Sequence, residues 1–211
     1  VTAQAPGRPP PRTFYDRDPL GVAPALLGKV LVTAAGAGRV VEVEAYRGEH
    51  DPASHAFRGR TPRNATMFGP PGHLYVYFTY GMHFCANVVC GPDGVAGAVL
   101  LRALAPFDGL SGSSGPALLC RSLGIDRSFD GADLVTGEGG VQLLDDGWVP
   151  AAVATSPRVG LSERVGFALD LPWRFFVDGD PHVSRRSGRA RGAGKLARRR
   201  SRASGTPGGG A

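Results

Sequence analysis

The clearest hydrophobic rhythm lies between residues 29 and 104. KVLVTA (29–34) and RVVEVEAY (39–46) are apolar, β-branched runs on either side of AGAG (35–38), the signature of a β-hairpin. LYVYFTY (74–80) is strongly β-prone, Gly81 and Met82 turn the chain, and HFCANVVC (83–90) returns it. A further strand, GAVLLRAL (97–104), follows a turn at Gly91–Gly94. Shorter strands are predicted at 141–144, 158–161 and 173–177. Helical signals are few. Residues 24–27 form one turn of helix that opens on Pro24 and stops at Gly28, and 116–124 form a helix that opens on Pro116. Helices do not alternate with strands, so a doubly wound parallel sheet is excluded. The expected fold is a mixed α/β (α+β) single domain with a curved, mainly antiparallel sheet and flanking helices.

Residues 47–73 interrupt the rhythm with a long polar segment rich in Gly, Pro, Arg and His. A connection of that length inside a domain is functional or disordered. Its aromatic, Met and His residues favour function. Val1–Arg12 reads as a disordered leader, residues 13–184 as the folded domain, and 185–211 as a disordered basic tail.

Composition changes the picture in three ways. The net charge of +6 is a property of the tail: nine Lys and Arg fall between Arg185 and Arg202, and residues 1–184 carry 15 basic against 18 acidic side chains. A basic patch on the domain must come from local clustering, as at Arg58, Arg60 and Arg63. Three cysteines, Cys85, Cys90 and Cys120, form no CxxC pair, which argues against a disulfide framework and a zinc site and for a reducing, cytoplasmic setting. No stretch is long and apolar enough to span a membrane. No metal or other cofactor is implied, and GAGR (36–39) lacks the third glycine of a dinucleotide loop.

Two features carry candidate chemistry. Glu42, Glu44 and Tyr46 share one side of a strand by period two. Either this is an exposed strand face, or it sets a carboxylate at the rim of a pocket as general base beside a stacking aromatic. Tyr75, Tyr77, Phe78, Tyr80 and Phe84 crowd the next hairpin, either as sheet core or as a stacking surface for bases. Arg102 interrupts the apolar run VLLRAL and demands a partner if buried.

The blocks EAYRGEHDPASHAFRG (44–59), TPRNATMF (61–68), PGHLYVYFTYGMHFCANV (71–88), AVLLRALAP (98–106), RVGL (158–161) and PWRFFVDGDPHVS (172–184) resemble, in order and spacing, the alkyladenine (3-methyladenine) DNA glycosylase family. The resemblance covers about residues 12–184. It implies a base-excision repair enzyme that flips an alkylated or deaminated purine from duplex DNA and hydrolyses its bond to the sugar. The implied bases are 3-methyladenine and 7-methylguanine, with hypoxanthine and ethenoadenine as further candidates. It implies Glu44 as general base and Arg102 as the partner that orients it or its water. Tyr46, His55 and Tyr77 are implied as walls of the base pocket, and Asn87 as the residue that crowds the 2-amino group of guanine. Tyr80 is implied as the wedge at the tip of a protruding, DNA-inserting hairpin, with Met82 and His83 beside it, and Arg63 joins the DNA contacts.

The implied partner is damaged double-stranded DNA, bound by a monomer located in the cytoplasm, at the nucleoid if the source is bacterial. Lys29 and Lys195 are the only lysines and neither lies in these blocks, which favours a monofunctional hydrolase over a lyase acting through a Schiff base. Leu118 stands where the family tends to carry a lysine, which removes one expected phosphate contact. The competing readings are a lesion-binding module without catalysis and a general nucleic-acid binder driven by the tail.

Overall fold

The computed structural model describes residues 7–107 and 109–184. The basic tail, 185–211, and residues 1–6 lie outside them. Two helices, α1 (Arg12–Tyr15) and α2 (Pro19–Leu26), precede five strands: β1 (Val30–Thr33), β2 (Gly36–Tyr46), β3 (Leu74–Thr79), β4 (His83–Val89) and β5 (Ala98–Pro106). Helix α3 (Pro116–Ser122) and strands β6 (Val141–Leu144), β7 (Val153–Ser156) and β8 (Arg174–Val177) complete the domain. All strand pairs are antiparallel, in the order β3-β4-β5-β2-β1-β6. The long strand β2 pairs with β1 through residues 36–39 and with β8 through residues 42–44, and β7 pairs with β8. The expected α+β architecture is the one observed.

Strand alternation splits the sheet into two faces. Val43, Ala45, Leu74, Val76, Ala86, Val88, Val99 and Leu101 point to the main core, where Val22 and Leu26 of α2 and Leu119 and Leu123 of α3 cover them. The opposite face carries Tyr75, Val89 and Ala98, and the polar segment 47–73 closes over it with Ala56, Met67 and Phe68. That segment is therefore the second layer of the domain. Asn64 knits it together: its amide donates to the carbonyls of His55 (2.9 Å) and Gly59 (3.1 Å), and its side-chain oxygen accepts from the N–H of Thr61 (2.6 Å).

Four expectations are corrected. Helix α2 starts at Pro19, not Pro24, because Asp18 caps it by accepting from the Leu20 N–H (2.9 Å). Pro24 then sits inside the helix, where packing of Val22 and Leu26 offsets the lost backbone bond. The first hairpin turns at Ala34 and Ala35, since Thr33 already pairs with Gly36. Residues 158–161 form no strand; the edge strand beside β8 is β7, and the 158–161 segment is bent inward by Arg158. Residues 8–12, expected in the leader, take part in the fold: Arg8 exchanges backbone hydrogen bonds with Asp145, and Arg12 lies in α1 and pairs with Asp133 at 2.6 Å.

Gly48 fixes where the second layer begins. It has φ +58°, and a Cβ there would overlap the carbonyl of Ala96 in the β4–β5 connection. Replacement by alanine adds a left-handed backbone penalty of ~1–2 kcal/mol to that overlap. We expect Gly48→Ala to lower stability by about 2 kcal/mol or more in urea denaturation and to release segment 47–73 to limited proteolysis before the rest of the domain.

Candidate active site

The register of four strands decides what faces the second layer. Tyr75 pairs with Asn87, Tyr77 with Cys85, Asn87 with Leu100, Leu100 with Glu44, and Ala98 with Tyr46. Directly paired residues share a face, so these side chains all point the same way. Arg102, two residues from Leu100, joins them. A bulge lies beside it, with register shifts between Val40 and Glu42 and between Glu42 and Val43. The bulge leaves Arg102 unmatched opposite the Glu42–Val43 step, and its side chain reaches both carboxylates.

Between this face and its cover is a cavity of about 350 Å³. Its walls include Tyr46, His55, Tyr77, Asn87 and Arg102, with Tyr80 at one edge. Met67, Cys85, Leu100 and the segment 159–161 are further walls that the sequence reading did not assign, and Tyr75, left open there between sheet core and stacking surface, joins them. Tyr75 and Cys85 carried a local signal, since they fall in phase with Tyr77 and Asn87; the segment 159–161 carried none.

The aromatic side is tightly built. The His55 and Tyr77 rings meet edge to face with centroids 4.4 Å apart, and Tyr75 lies 5.6 Å from Tyr77. His55 Nδ1 and the Tyr75 hydroxyl share a hydrogen bond at 3.2 Å. Burial, helped by the nearby Arg63 cation, pushes the His55 imidazole toward its neutral form. Burial also raises the Tyr46 and Tyr77 phenols, and it takes that of Tyr75 to about 12. The aromatic walls are thus uncharged hydrogen-bonding rings, and Arg102 is the cation among the lining residues. The Asn87 amide donates to the Tyr75 carbonyl at 3.1 Å, which leaves the other end of the amide as its free acceptor.

Glu44 lies behind this wall, not at the rim of the pocket, and it is 0% exposed. Three groups hold its carboxylate: the Val159 N–H on Oε1 at 2.7 Å, the Tyr46 hydroxyl on Oε2 at 2.9 Å, and Arg102 Nη1 at 3.1 Å from Oε1. Burial raises its pKa, and Arg102, the Val159 N–H and Tyr46 only partly oppose that. Two carboxylate oxygens accept about four hydrogen bonds, so three donors leave capacity for about one more. The exposed-face alternative for Glu42 and Glu44 is overturned, because both are fully buried.

Two buried arginines brace the site, and neither was foreseen. Arg158 forms a two-pronged pair with Asp51, with Nη2 to Oδ1 at 2.9 Å, and both side chains are out of solvent. Its guanidinium is sandwiched 4.6 Å from the Tyr46 ring and 5.0 Å from that of Trp173. Arg158 thereby backs the pocket wall and fixes the backbone whose next N–H holds Glu44. Arg174 donates to Glu42 Oε1 at 2.7 Å, and Arg102 Nε reaches the same oxygen at 2.7 Å.

The residues expected to touch DNA fall outside the cavity, Tyr80 excepted. The β3–β4 hairpin ends in a turn with positive φ at both Tyr80 (+50°) and Gly81, closed by the Met82 N–H on the Thr79 carbonyl. Thr79 pairs with His83, so the connecting loop is three residues long, Tyr80 to Met82. It leaves Tyr80 84% and Met82 68% exposed, with His83 also in solvent. Arg63 stands on the loop beside them and donates to the Phe78 carbonyl at 3.0 Å. Among the described residues no cluster of His, Cys, Asp or Glu is arranged to hold a metal, and no helix is long and apolar enough to cross a membrane.

Comparison with known proteins gives a consistent answer. The family model for methylpurine-DNA glycosylase (MPG) matches residues 13–181. A protein of Burkholderia lata is 53% identical over 195 residues, covering 85% of this chain and 92% of its own length. A protein of Streptomyces avermitilis is 50% identical over 201 residues, with 85% and 93% covered. One of Koribacter versatilis is 44% identical over 196 residues, with 83% and 93% covered. All three bear the name "Putative 3-methyladenine DNA glycosylase".

The Asp51–Arg158 pair generates a stability prediction. Removing one partner strands a buried charge, at a cost of ~3–5 kcal/mol. Asp51→Asn is expected to lower unfolding free energy by about that amount in urea denaturation, against a change within ~0.5 kcal/mol for the surface control Asp93→Asn.

Proposed function

The chain belongs to the methylpurine-DNA glycosylase family, is a DNA glycosylase that hydrolyses N-glycosidic bonds, and on that premise we propose how its residues act. The observation that carries the reading is a buried carboxylate, Glu44, held by Arg102 and Tyr46 at the back of a cavity walled by neutral aromatic rings. The substrate is duplex DNA with a damaged purine, which a monomer engages at the β3–β4 hairpin. A base inside the helix is out of reach, so its nucleotide is extruded at a cost of a few kcal/mol, less for a damaged pair. Tyr80, at the exposed hairpin tip, fills the gap left in the stack, and Met82 and His83 press into the minor groove beside it. Arg63 braces the hairpin and adds positive charge toward the backbone.

In the cavity the extruded purine lies among Tyr46, His55 and Tyr77. Alkylation often leaves the purine cationic, and a cation over a tyrosine face gains ~0.5–2 kcal/mol that a normal purine forgoes. Alkylated purines, 3-methyladenine and 7-methylguanine, fit this selection directly. Hypoxanthine and ethenoadenine are neutral and depend on hydrogen bonds to His55 and the backbone. Asn87, fixed by its bond to the Tyr75 carbonyl, crowds the 2-amino group of guanine.

The bond breaks through a sugar cation of the kind formed in glycoside hydrolysis. The ionised Glu44 offsets that charge and takes a proton from the attacking water, while Arg102 holds the carboxylate in place. The water's oxygen bonds to the sugar carbon, the purine departs with the bonding electrons, and an abasic site remains. The basic tail acts as a non-specific tether to DNA, working in the cytoplasm at the nucleoid.

Three outcomes test this. Glu44→Gln should retain binding to lesion-bearing duplex but lose base release by at least about a thousandfold, read as alkali-labile strand breaks in single turnover; release at the wild-type rate would remove Glu44 from the chemistry. In the wild type the carboxylate must be ionised, and burial raises its pKa, so activity is lost as pH falls, at higher pH than an ordinary glutamate would give. Tyr80→Gly removes a left-handed tyrosine, so it should raise stability by ~1 kcal/mol while base release slows; equal or faster release would exclude the wedge.

A further inference from the structure

Glu42 accepts four hydrogen bonds, and the mechanism above does not use it. It is fully buried two residues before Glu44, on the same face of β2. Its Oε1 accepts from Arg102 Nε (2.7 Å), Arg174 Nε (2.7 Å) and the Ser184 hydroxyl (2.8 Å), and its Oε2 accepts from the Ser184 N–H (2.6 Å). A carboxylate needs one cation for neutrality and this one has two. One of them, Arg102, is also the cation that faces Glu44. The Nε edge of Arg102 is taken by Glu42 while its Nη1 stands against Glu44.

We propose that Glu42 is a positioning residue that aims Arg102 at Glu44 and divides the charge of that guanidinium between two carboxylates. The inference rests on the reading of Glu44 as general base. A planar guanidinium has its donors in a fixed fork, so pinning Nε sets the direction of Nη1. Arg174 and Ser184 keep Glu42 from swinging toward the cavity. The charge effect follows from distance: were Arg102 paired with Glu44 alone, it would hold that carboxylate ionised to lower pH. Sharing it, with a second negative charge nearby, weakens that hold and leaves Glu44 a stronger proton acceptor.

The groups facing Glu44 are few. They are Glu42 and Tyr46 on its own strand, Arg102 on β5, Tyr77 on β3 and Cys85 on β4. Arg174 is its register partner on β8, and the Val159 N–H comes from the cover. Tyr77 and Cys85 are driven toward their neutral forms by burial. Arg102 and Glu42 are therefore the charges that act on its ionisation, in opposite directions, while Arg174 acts on Glu42.

The test is the pH profile of 3-methyladenine release from methylated duplex DNA in single turnover, with Glu42→Gln, Glu42→Asp and Glu44→Gln beside the wild type. Glu42→Gln is expected to move the acid limb down by about one pH unit and to lower the plateau about tenfold, as loosened second-layer partners do. Glu42→Asp keeps the charge on a shorter arm and is expected to lower the plateau with the limb in place. A Glu42→Gln profile with the limb and rate of the wild type overturns the proposal. So does an equal loss in both variants with neither limb displaced, which is what a merely structural role gives. If Glu42→Gln fails to fold, Ser184→Ala decides: loss of one donor concentrates negative charge on Glu42 and is expected to raise the limb by a few tenths of a unit, and an unchanged profile overturns the proposal. An active Glu44→Gln would instead sink the base assignment on which the inference stands.

Discussion

Four charges kept out of water govern this structure: Glu42, Glu44, Arg102 and Arg174 are all buried on one face of one sheet. Any one of them alone would cost several kcal/mol to bury, and the set is tolerable because the two carboxylates and two guanidiniums balance and hydrogen-bond one another. Such a set must be assembled in register. A slip of one residue in β2 or β5 would send the glutamates into the main core beneath α2 and separate them from Arg102. The burial of these carboxylates and the correct pairing of the central strands are thus one requirement.

The rest of the site is arranged around that requirement. Of the aromatic walls, Tyr75 and Tyr77 come from β3, Tyr46 from β2 and His55 from the segment 47–73, while β4, between β3 and β5, adds Cys85 and Asn87. The cover comes from segments far apart in sequence, 47–73 and 157–184, and a second buried ion pair, Asp51–Arg158, ties them together. That pair also backs Tyr46 and fixes the N–H that holds Glu44. Ionic contacts serve here less as a source of stability than as a way of giving the cavity one geometry.

The same logic explains the position of Glu44. A carboxylate exposed at a rim would titrate as an ordinary glutamate and exchange partners with solvent. Behind the wall it meets a fixed set of donors, and burial makes it more basic. The hairpin tip follows the opposite rule. Its tyrosine is exposed and has a positive φ in the three-residue loop between Thr79 and His83.

Much of this was legible in the chain itself. Alternation in 29–46 and 74–104 specifies the central strands, because a side-chain period of two is a local property. Period two also groups Glu42 with Glu44 and Tyr75 with Tyr77, and the ordered motif blocks point to Glu44, Tyr46, His55, Tyr77, Tyr80, Asn87 and Arg102. Local signals misplaced the start of α2 and the edge strand, where capping by Asp18 and pairing with β8 outweigh residue preference. What only the tertiary structure decided is burial and partnership: that Glu44 sits behind the wall, that Arg102 serves two carboxylates, and that Arg158 meets Asp51 across 107 residues of chain. Charge compensation in a low-dielectric interior depends on which groups the folded chain brings within a few ångströms, and no spacing along the sequence encodes that distance.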